Sequence, residues 1–338
     1  MRVLIYGAGA IGSYLGGILS AAGNDVTLLT RGAQHEALST RGLVLKGKRS
    51  GRPDPIRVHA VRPGEEKPPY DIVFVTLKAH QIAPNAEHIA SMRSKDGCFV
   101  FLQNGLPWWY FDGIDSPYAG TRLKTLDVDG TLARVFPAET IVGGVVFLPT
   151  TTGGPGVLTV ADLPSDRMVI GEVDNSRSRR LEDIVAMVGA AGWKSEISTD
   201  IRGAKWGKMA GNSVWNPLCA LTQASNNEIA IYPPARELAV AMMKEVIAVA
   251  QSVGAKLNVD VDKTVAEVAS RPAMLSSTLG DVRAGRQLEL AALDLAIIEM
   301  GELTGVPTPN LRAITACAGV LDERIVKDGV AIRPVAVR

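Results

Sequence analysis

One lysine and two asparagines, Lys208, Asn212 and Asn216, recur every four residues within a stretch otherwise rich in apolar side chains. On a helix of 3.6 residues per turn this spacing makes a single polar stripe that drifts about 40° per step. Trp206, Met209, Val214, Trp215 and Leu218 surround it and are expected to be buried. Amides on an apolar helix cost free energy unless paired. The stripe therefore predicts either a buried hydrogen-bonded network or a site with one proton donor and two amides aimed at a polar ligand. Lys205 falls on roughly the same face, a rival donor that periodicity does not exclude. Pro217 has no N–H to offer the carbonyl of Ser213, which predicts a kink beside Asn216. A further polar cluster runs from Ser276 and Ser277 through Asp281, Arg283 and Arg286 to Glu289. Glu289 reads equally as a functional carboxylate and as an acid that favours the positive end of a helix.

Near the start of the chain, Gly7-Ala8-Gly9-Ala10-Ile11-Gly12 spells G-x-G-x-x-G. Alone this is a weak signal. Here it follows the apolar run Arg2–Tyr6 and opens a helical pattern from Ala10 to Ala22, the context a dinucleotide-binding turn requires. The first glycine allows the tight turn, the second lets backbone approach a pyrophosphate, and the third lets helix pack on strand. The helix N-terminus then meets the anion with free N–H groups. A second strand, Val26–Leu29, ends in Thr30-Arg31-Gly32, with no acid to bind a ribose 2′-hydroxyl. A guanidinium pairs with a 2′-phosphate where a carboxylate would repel it. Arg31 therefore favours NADP(H) over NAD(H).

These residues need elements to hold them. In the first half, β-rich runs at Asp71–Val75 and Cys98–Leu102 read as buried parallel strands, with a helix between them from Ile82 to Met92 whose start is limited by Pro84. Later strands are expected at 140–148 and 156–160, and the Pro- and charge-rich residues 46–70 read as a surface excursion. Strand–helix alternation implies an α/β fold with a doubly wound, Rossmann-type sheet. From Asp200 onward the pattern is helical. Pro233-Pro234 sits at a helix start whose periodic run stops at Gly254, and another helix runs from about Leu288 to Thr304 before Gly305. The expected division is a dinucleotide domain over 1–197 and an all-α substrate and catalytic domain over 198–338. The 338 residues suit two domains.

Composition narrows the function classes. With 36 Lys+Arg against 35 Asp+Glu, the chain lacks the basic excess of a nucleic-acid or anionic-membrane binder. Cys98, Cys219 and Cys317 are scattered, which excludes a disulfide framework or Cys-rich metal site and fits a reducing, cytoplasmic setting. His35, His59, His80 and His88 all fall in the first half, so the second half has no histidine to serve as proton donor or metal ligand. No metal set is expected. The uncharged stretch from Val3 to Asn24 also has the outline of a signal peptide or membrane span, but its six glycines argue against a stable span.

Taken in order, these motifs resemble the ketopantoate reductase (2-dehydropantoate 2-reductase) family over nearly the whole chain. The resemblance rests on the G-x-G-x-x-G turn, Val75-Thr-Leu-Lys78-Ala-His-Gln81 and Gln103-Asn104-Gly105. It continues through Lys208…Asn212…Asn216-Pro217-Leu218, Asn226, and Ser277 through Glu289. Asn104-Gly-Leu-Pro-Trp-Trp-Tyr-Phe111 and the insertion after it look like a longer-chain subgroup. The family implies an NADP-dependent oxidoreductase of pantothenate biosynthesis. By that resemblance Lys208 is the proton donor and Glu289 positions the substrate or nicotinamide ribose. Asn212, Asn216, Asn226 and Ser277 bind the substrate, while Lys78 and Asn104 join Gly7–Gly12 and Arg31 at the cofactor. An ammonium suits an oxygen that gains charge as hydride arrives. Ala291 stands where the family places Asp, Thr278 and Gly280 replace Met and Gln, and Asn227 replaces Gly. These departures lie on the substrate side. Ketopantoate is thus the leading substrate, another branched or aromatic 2-oxo acid the alternative, and a non-catalytic NADP(H)-binding regulator the reading from a different class. No nucleic-acid or membrane partner is expected, and a second copy in a homodimer is the one protein partner left open.

Overall fold

Alternating β-branched runs and helical stretches build the first part of the chain as the sequence pattern requires. The computed structural model describes residues 1–48, 50–273 and 275–335. Its strands are β1 (Arg2–Tyr6), β2 (Asp25–Leu29), β3 (Val44–Lys46), β4 (His59–Val61), β5 (Tyr70–Val75), β6 (Arg93–Phe101), β7 (Ile141–Phe147), β8 (Thr150–Thr152), β9 (Val157–Val160), β10 (Arg167–Glu172) and β11 (Ser195–Ile197). Eight of them form one sheet in the order β11-β10-β7-β6-β5-β1-β2-β4. Every neighbouring pair is parallel except β7 and β10. Between those two the chain makes no crossover helix. It runs through β8 and β9, which with β3 form a small separate sheet in the order β3-β9-β8. Without a crossover, β10 can return only antiparallel.

The chain forms two compact units. The first comprises residues 1–104, 111–115 and 129–204; the second comprises 105–110, 116–128 and 205–338. In the first, helices α1 (Ala10–Ala21) and α5 (Arg179–Ala190) cover the sheet, and α2 (Gly32–Arg41) follows β2. Val3, Ile5, Leu15, Leu28, Phe74, Val100 and Ile170 form part of its core, all 0% exposed. The stretch from Val3 to Asn24 is thus divided between a core strand and a 12-residue helix. No helix among the described residues is long and apolar enough to cross a membrane.

Two expectations are corrected here. Residues 46–70 are not wholly a surface excursion, because His59–Val61 adds an edge strand parallel to β2. The helix expected over 82–92 is broken into 3₁₀ turns at Ala79–Gln81 and Ala83–Asn85 and a short α3 (Ala86–Ala90). Pro84 lacks the N–H that a continuous helix would need.

Past α4 (Thr131–Val135) and α5, helices dominate: α6 (Ile201–Thr222), α7 (Asn226–Ile231), α8 (Pro233–Ser252), α9 (Val261–Ser270), α10 (Ser277–Ala284), α11 (Ala296–Thr304) and α12 (Pro309–Asp328). Helix α6 continues past Pro217, with Trp206, Met209, Val214, Trp215 and Leu218 all buried as their spacing requires. The run approaching α11 is not plain α-helix. Ala291–Leu295 forms a π turn, and Gly305 closes α11 at φ +74°.

Candidate active site

At one end of the main sheet, the C-termini of four parallel strands lie side by side in the order β6, β5, β1, β2. The chain leaves β1 toward β2 and later returns to β5 on the other side. This is the switch point at which open α/β sheets bind ligands. Each cofactor residue expected from sequence follows one of these ends. Gly7 follows β1, Arg31 follows β2, Lys78 follows β5 and Asn104 follows β6.

The glycine turn is shaped for an anion. Gly7 adopts φ +106°, a conformation L side chains rarely take. A Cβ on Gly12 would strike the carbonyl oxygen of Gly7 and lie 2.5 Å from Thr76 Oγ1, so the third glycine is needed for packing inside the protein. A Cβ on Gly9 would meet no protein atom within 4 Å. The second glycine thus faces open space, as a pyrophosphate cradle needs. Gly9 also caps α1 without a side-chain hydrogen bond, and no acid occupies the first turn, so its dipole is unopposed. Ala8 is buried, whereas Ala10 and Ile11 are partly open. Arg31 is exposed at the N-cap of α2. The neighbouring Gln34 anchors that helix by donating to Ser13 Oγ and accepting from Gly156 N–H. Lys78 heads a 3₁₀ turn, its N–H donating to the Gln81 side chain at 3.1 Å. The residues present fit a dinucleotide.

The second unit carries the rest of the expected site. Lys208, Asn212 and Asn216 lie on the uninterrupted α6. Asn216 is 5% exposed, and its Nδ2 has no hydrogen-bond partner among the described residues. A buried amide donor left in this state costs about 1–3 kcal/mol, a cost a bound ligand would relieve. Lys208 is partly exposed, yet burial of its surroundings lowers its pKa to about 8, with the Glu289 carboxylate opposing that shift. Glu289 is itself buried, and its carbonyl accepts from Leu293 N–H. Lys208 and Glu289 are therefore brought together from stretches 81 residues apart in sequence. The π turn is tied to α6 where Ser213 Oγ–H donates to the Leu293 carbonyl at 2.8 Å.

The other two expected ligands have local roles that show on their own. Asn226 begins α7 and accepts from Asn227 N–H, while Ser225 caps that helix reciprocally with Glu228. Asn227, the departure from the family pattern, donates its side-chain amide to the carbonyls of Ala269 and Arg271 and so closes the end of α9. Ser277 is the exposed first residue of α10, capped by Ser276. In the same cluster Asp281 forms an ion pair with Arg286 at 2.9 Å.

Three residues of this unit carry more weight than their sequence context suggests. Lys205 is 3% exposed, with its pKa lowered to about 7 by burial and then by the Lys208 charge. Its Nζ lies 5.9 Å from the ring centroid of Trp109, which is fully buried. Asp294, in the π turn, is completely buried with both carboxylate oxygens unpartnered among the described residues, and burial raises its pKa well above the usual range. The signal for Asp294 was one acid inside the apolar run Leu290–Ile298.

Comparison with known proteins identifies the family of the chain. Residues 3–175 match the family described as Ketopantoate reductase PanE/ApbA, and residues 200–322 match Ketopantoate reductase PanE/ApbA C terminal. A 2-dehydropantoate 2-reductase of Mesorhizobium japonicum is 34% identical over 94% of this chain and 96% of its own. The solved structure of 2-dehydropantoate 2-reductase from Geobacter metallireducens GS-15 superposes with a TM-score of 0.81. It is 29% identical and covers 96% of this chain and 99% of its own. D-mandelate dehydrogenase, solved with NADH and anilino(oxo)acetate, has a TM-score of 0.80 at 21% identity, covering 96% of this chain and all of its own, and shows the shared fold alone.

Proposed function

Because the chain belongs to the ketopantoate reductase family, we propose that it reduces a 2-oxo acid with NADPH, foremost 2-dehydropantoate to pantoate. The observation that carries this reading is the α6 stripe, an ammonium followed at i+8 by a buried amide donor with no partner among the described residues. Such donors suit a ligand rich in oxygen acceptors, as a 2-oxo acid is.

The cofactor, when bound, supplies a hydride to the ketone carbon. The glycine turn and the start of α1 would hold the pyrophosphate, and Arg31 would pair with the 2′-phosphate. As the C=O electron pair moves onto oxygen, Lys208 stabilises the growing charge and gives that oxygen its proton, leaving a 2-hydroxy acid and a neutral amine. Glu289 keeps the Lys208 proton affinity above what burial alone would leave. Asn212, Asn216, Asn226 and Ser277 fix the substrate's remaining oxygens.

A cytoplasmic setting is supported by scattered cysteines, two of them buried as free thiols. Pairing into a homodimer is supported by exposed apolar side chains on α12, Val320 and Val326. The decisive assay is loss of 340 nm absorbance from NADPH with a panel of 2-oxo acids. Turnover of 2-dehydropantoate above all others is expected. No turnover of any 2-oxo acid, with NADPH still bound, would refute the reductase reading. Arg31→Ala should raise the NADPH KM by roughly tenfold or more, the worth of one charge-assisted contact, and leave NADH nearly unchanged.

A further inference from the structure

We propose that Thr76 and Ser13 are positioning residues for the cofactor, two hydroxyls that hold the carbonyls of the glycine turn inward and so aim its N–H groups at the pyrophosphate. The proposal rests on the dinucleotide reading of that turn and adds two residues to it. A peptide unit is planar and trans, so its C=O and N–H point in opposite directions. A turn can present successive N–H groups to an anion only if the carbonyls between them are held the other way. A carbonyl swung toward the pyrophosphate would set one negative pole against another.

Each carbonyl of the turn has its donor. The Gly7 carbonyl accepts from Thr76 Oγ–H, that of Ala8 from Ser13 Oγ–H at 2.9 Å, and that of Gly9 from Ser13 N–H at 2.8 Å. The third is the first backbone bond of α1, which any residue but proline could make. The other two require side chains. Thr76 Oγ also lies 3.3 Å from the Tyr6 carbonyl, but that oxygen already accepts from Thr76 N–H, and the Gly7 oxygen is nearer. Ser13 is 2% exposed, and Gln34 donates to its Oγ at 3.0 Å, which leaves the Ser13 proton for Ala8. Held in this way, the three peptide units direct the N–H groups of Ala8, Gly9 and Ala10 away from these donors. Gly12 leaves the space that the first pair fills, because a Cβ there would strike both the Gly7 carbonyl oxygen and Thr76 Oγ. Neither hydroxyl belongs to the G-x-G-x-x-G pattern. Ser13 follows it, and Thr76 comes from the end of β5. Packing alone asks for no hydroxyl at Thr76, since valine has nearly the same shape.

The test titrates the full chain with two probes: NADPH, followed by fluorescence, and adenosine 2′-phosphate, a competitor that carries the group proposed for Arg31 but no pyrophosphate. Thr76→Val and Ser13→Ala should each raise the NADPH Kd roughly 3- to 10-fold, the worth of one neutral hydrogen bond. Thr76→Ser, which keeps the hydroxyl, should bind NADPH close to wild type. Adenosine 2′-phosphate should bind Thr76→Val as it binds wild type, a split that general damage to the fold would not produce. NADPH affinity unchanged in both Thr76→Val and Ser13→Ala, equal weakening of the two probes in Thr76→Val, or a serine variant no better than valine overturns the assignment. If Thr76→Val does not fold, Thr76→Ala removes the same hydroxyl and is judged by the same criteria. A wild type that binds no NADPH refutes the dinucleotide reading instead, a result that involves no variant.

Discussion

The largest burial-driven displacements of lysine and aspartate lie in the second unit, and buried ion pairs lie in the first. In the first unit, the buried Glu172, Arg202 and Glu66 side chains are matched. Glu172 accepts from Ser178 and forms an ion pair with Arg180, which also donates to the carbonyls of Glu139 and Ile141. Arg202 donates to the Val173 and Asp112 carbonyls. Glu66 accepts from His88, whose other ring nitrogen lies 2.6 Å from the Tyr6 hydroxyl. In the second unit, Lys205, Lys208 and Asp294 are all displaced from their ordinary proton affinities, with burial the largest cause each time. Groups displaced from their ordinary proton affinities cluster where chemistry needs a group poised to change state. In the proposed mechanism the first unit binds its ligand through backbone and one exposed arginine, and the second keeps an ammonium close to giving up its proton.

The contrast is broken most directly at Lys208. Lys208→Ala should lower kcat by about 10²- to 10⁴-fold, the range for a positioned general acid, with NADPH binding intact. Lys205→Ala should leave kcat much closer to wild type. Steady-state kinetics with a parallel NADPH titration checks this. Near-normal kcat in Lys208→Ala would make the α6 stripe structural.

A second way to sharpen the comparison is pH. The proposed mechanism requires Lys208 protonated, so kcat/KM should fall about tenfold per pH unit above about 8, the value set by burial against Glu289. Since Lys205 and Lys208 interact, the observed midpoint belongs to the pair. The stability of the unit follows the opposite direction. A lysine whose folded pKa is depressed contributes stability that is present above its unfolded value and lost as pH falls. Acidification from about 10.5 through about 8 and about 7 should thus weaken the second unit while activity rises. A pH–rate profile beside thermal melts tests both halves of the statement, and a flat rate profile from pH 7 to 10 would contradict it.

In the first unit the contrast lies between two glycines. Gly12→Ala should cost about 1–3 kcal/mol of stability, because the new methyl meets the Gly7 carbonyl and Thr76. Gly9→Ala should leave the melting temperature nearly unchanged and weaken NADPH binding, because its methyl points where no protein atom lies. Melting curves and cofactor titrations of both variants separate the two roles.

How far these features could be read from sequence depended on how local they were. The glycine turn, the strand before it and the helix after it are contiguous, so type and spacing announced them. The α6 stripe was equally visible, since Lys208, Asn212 and Asn216 share one helix and the apolar residues between them are buried. The short edge strand His59–Val61 was not, because three residues carry no usable period and only its pairing with β2 defines it. Pro84 was seen, but not that it would reduce an expected helix to separate turns. Nothing in Gly105–Tyr110 signals that it joins the second unit, an association made by hydrogen bonds to Ala292 and Trp206, distant in sequence. The pairing of Lys208 with Glu289 is of the same kind, since spacing offers no hint that α6 meets the start of a helix so far along the chain.

Asp294 is expected to affect stability and leave turnover unchanged. This carboxyl is fully buried without a hydrogen-bond partner among the described residues, and burial holds its folded pKa well above the unfolded one. A carboxyl raised in this way contributes stability that is fully present below its unfolded value near 3.8 and lost as pH rises toward the folded value. Asp294→Asn has nearly the same shape and cannot ionise. The stability difference between variant and wild type should therefore shift in favour of the variant as pH rises from 5 to 8, by at most about 1.4 kcal/mol per unit. For a protein of this size that is a change of a few degrees in Tm. Any constant cost of the extra amide donor cancels when only the change with pH is read. Activity should stay near wild type, because no step assigned to Lys208 or Glu289 uses this group. Parallel Tm curves for the two proteins from pH 5 to 8 would mean that Asp294 titrates alike folded and unfolded. The second unit would then owe its displaced charges to the lysine pair alone.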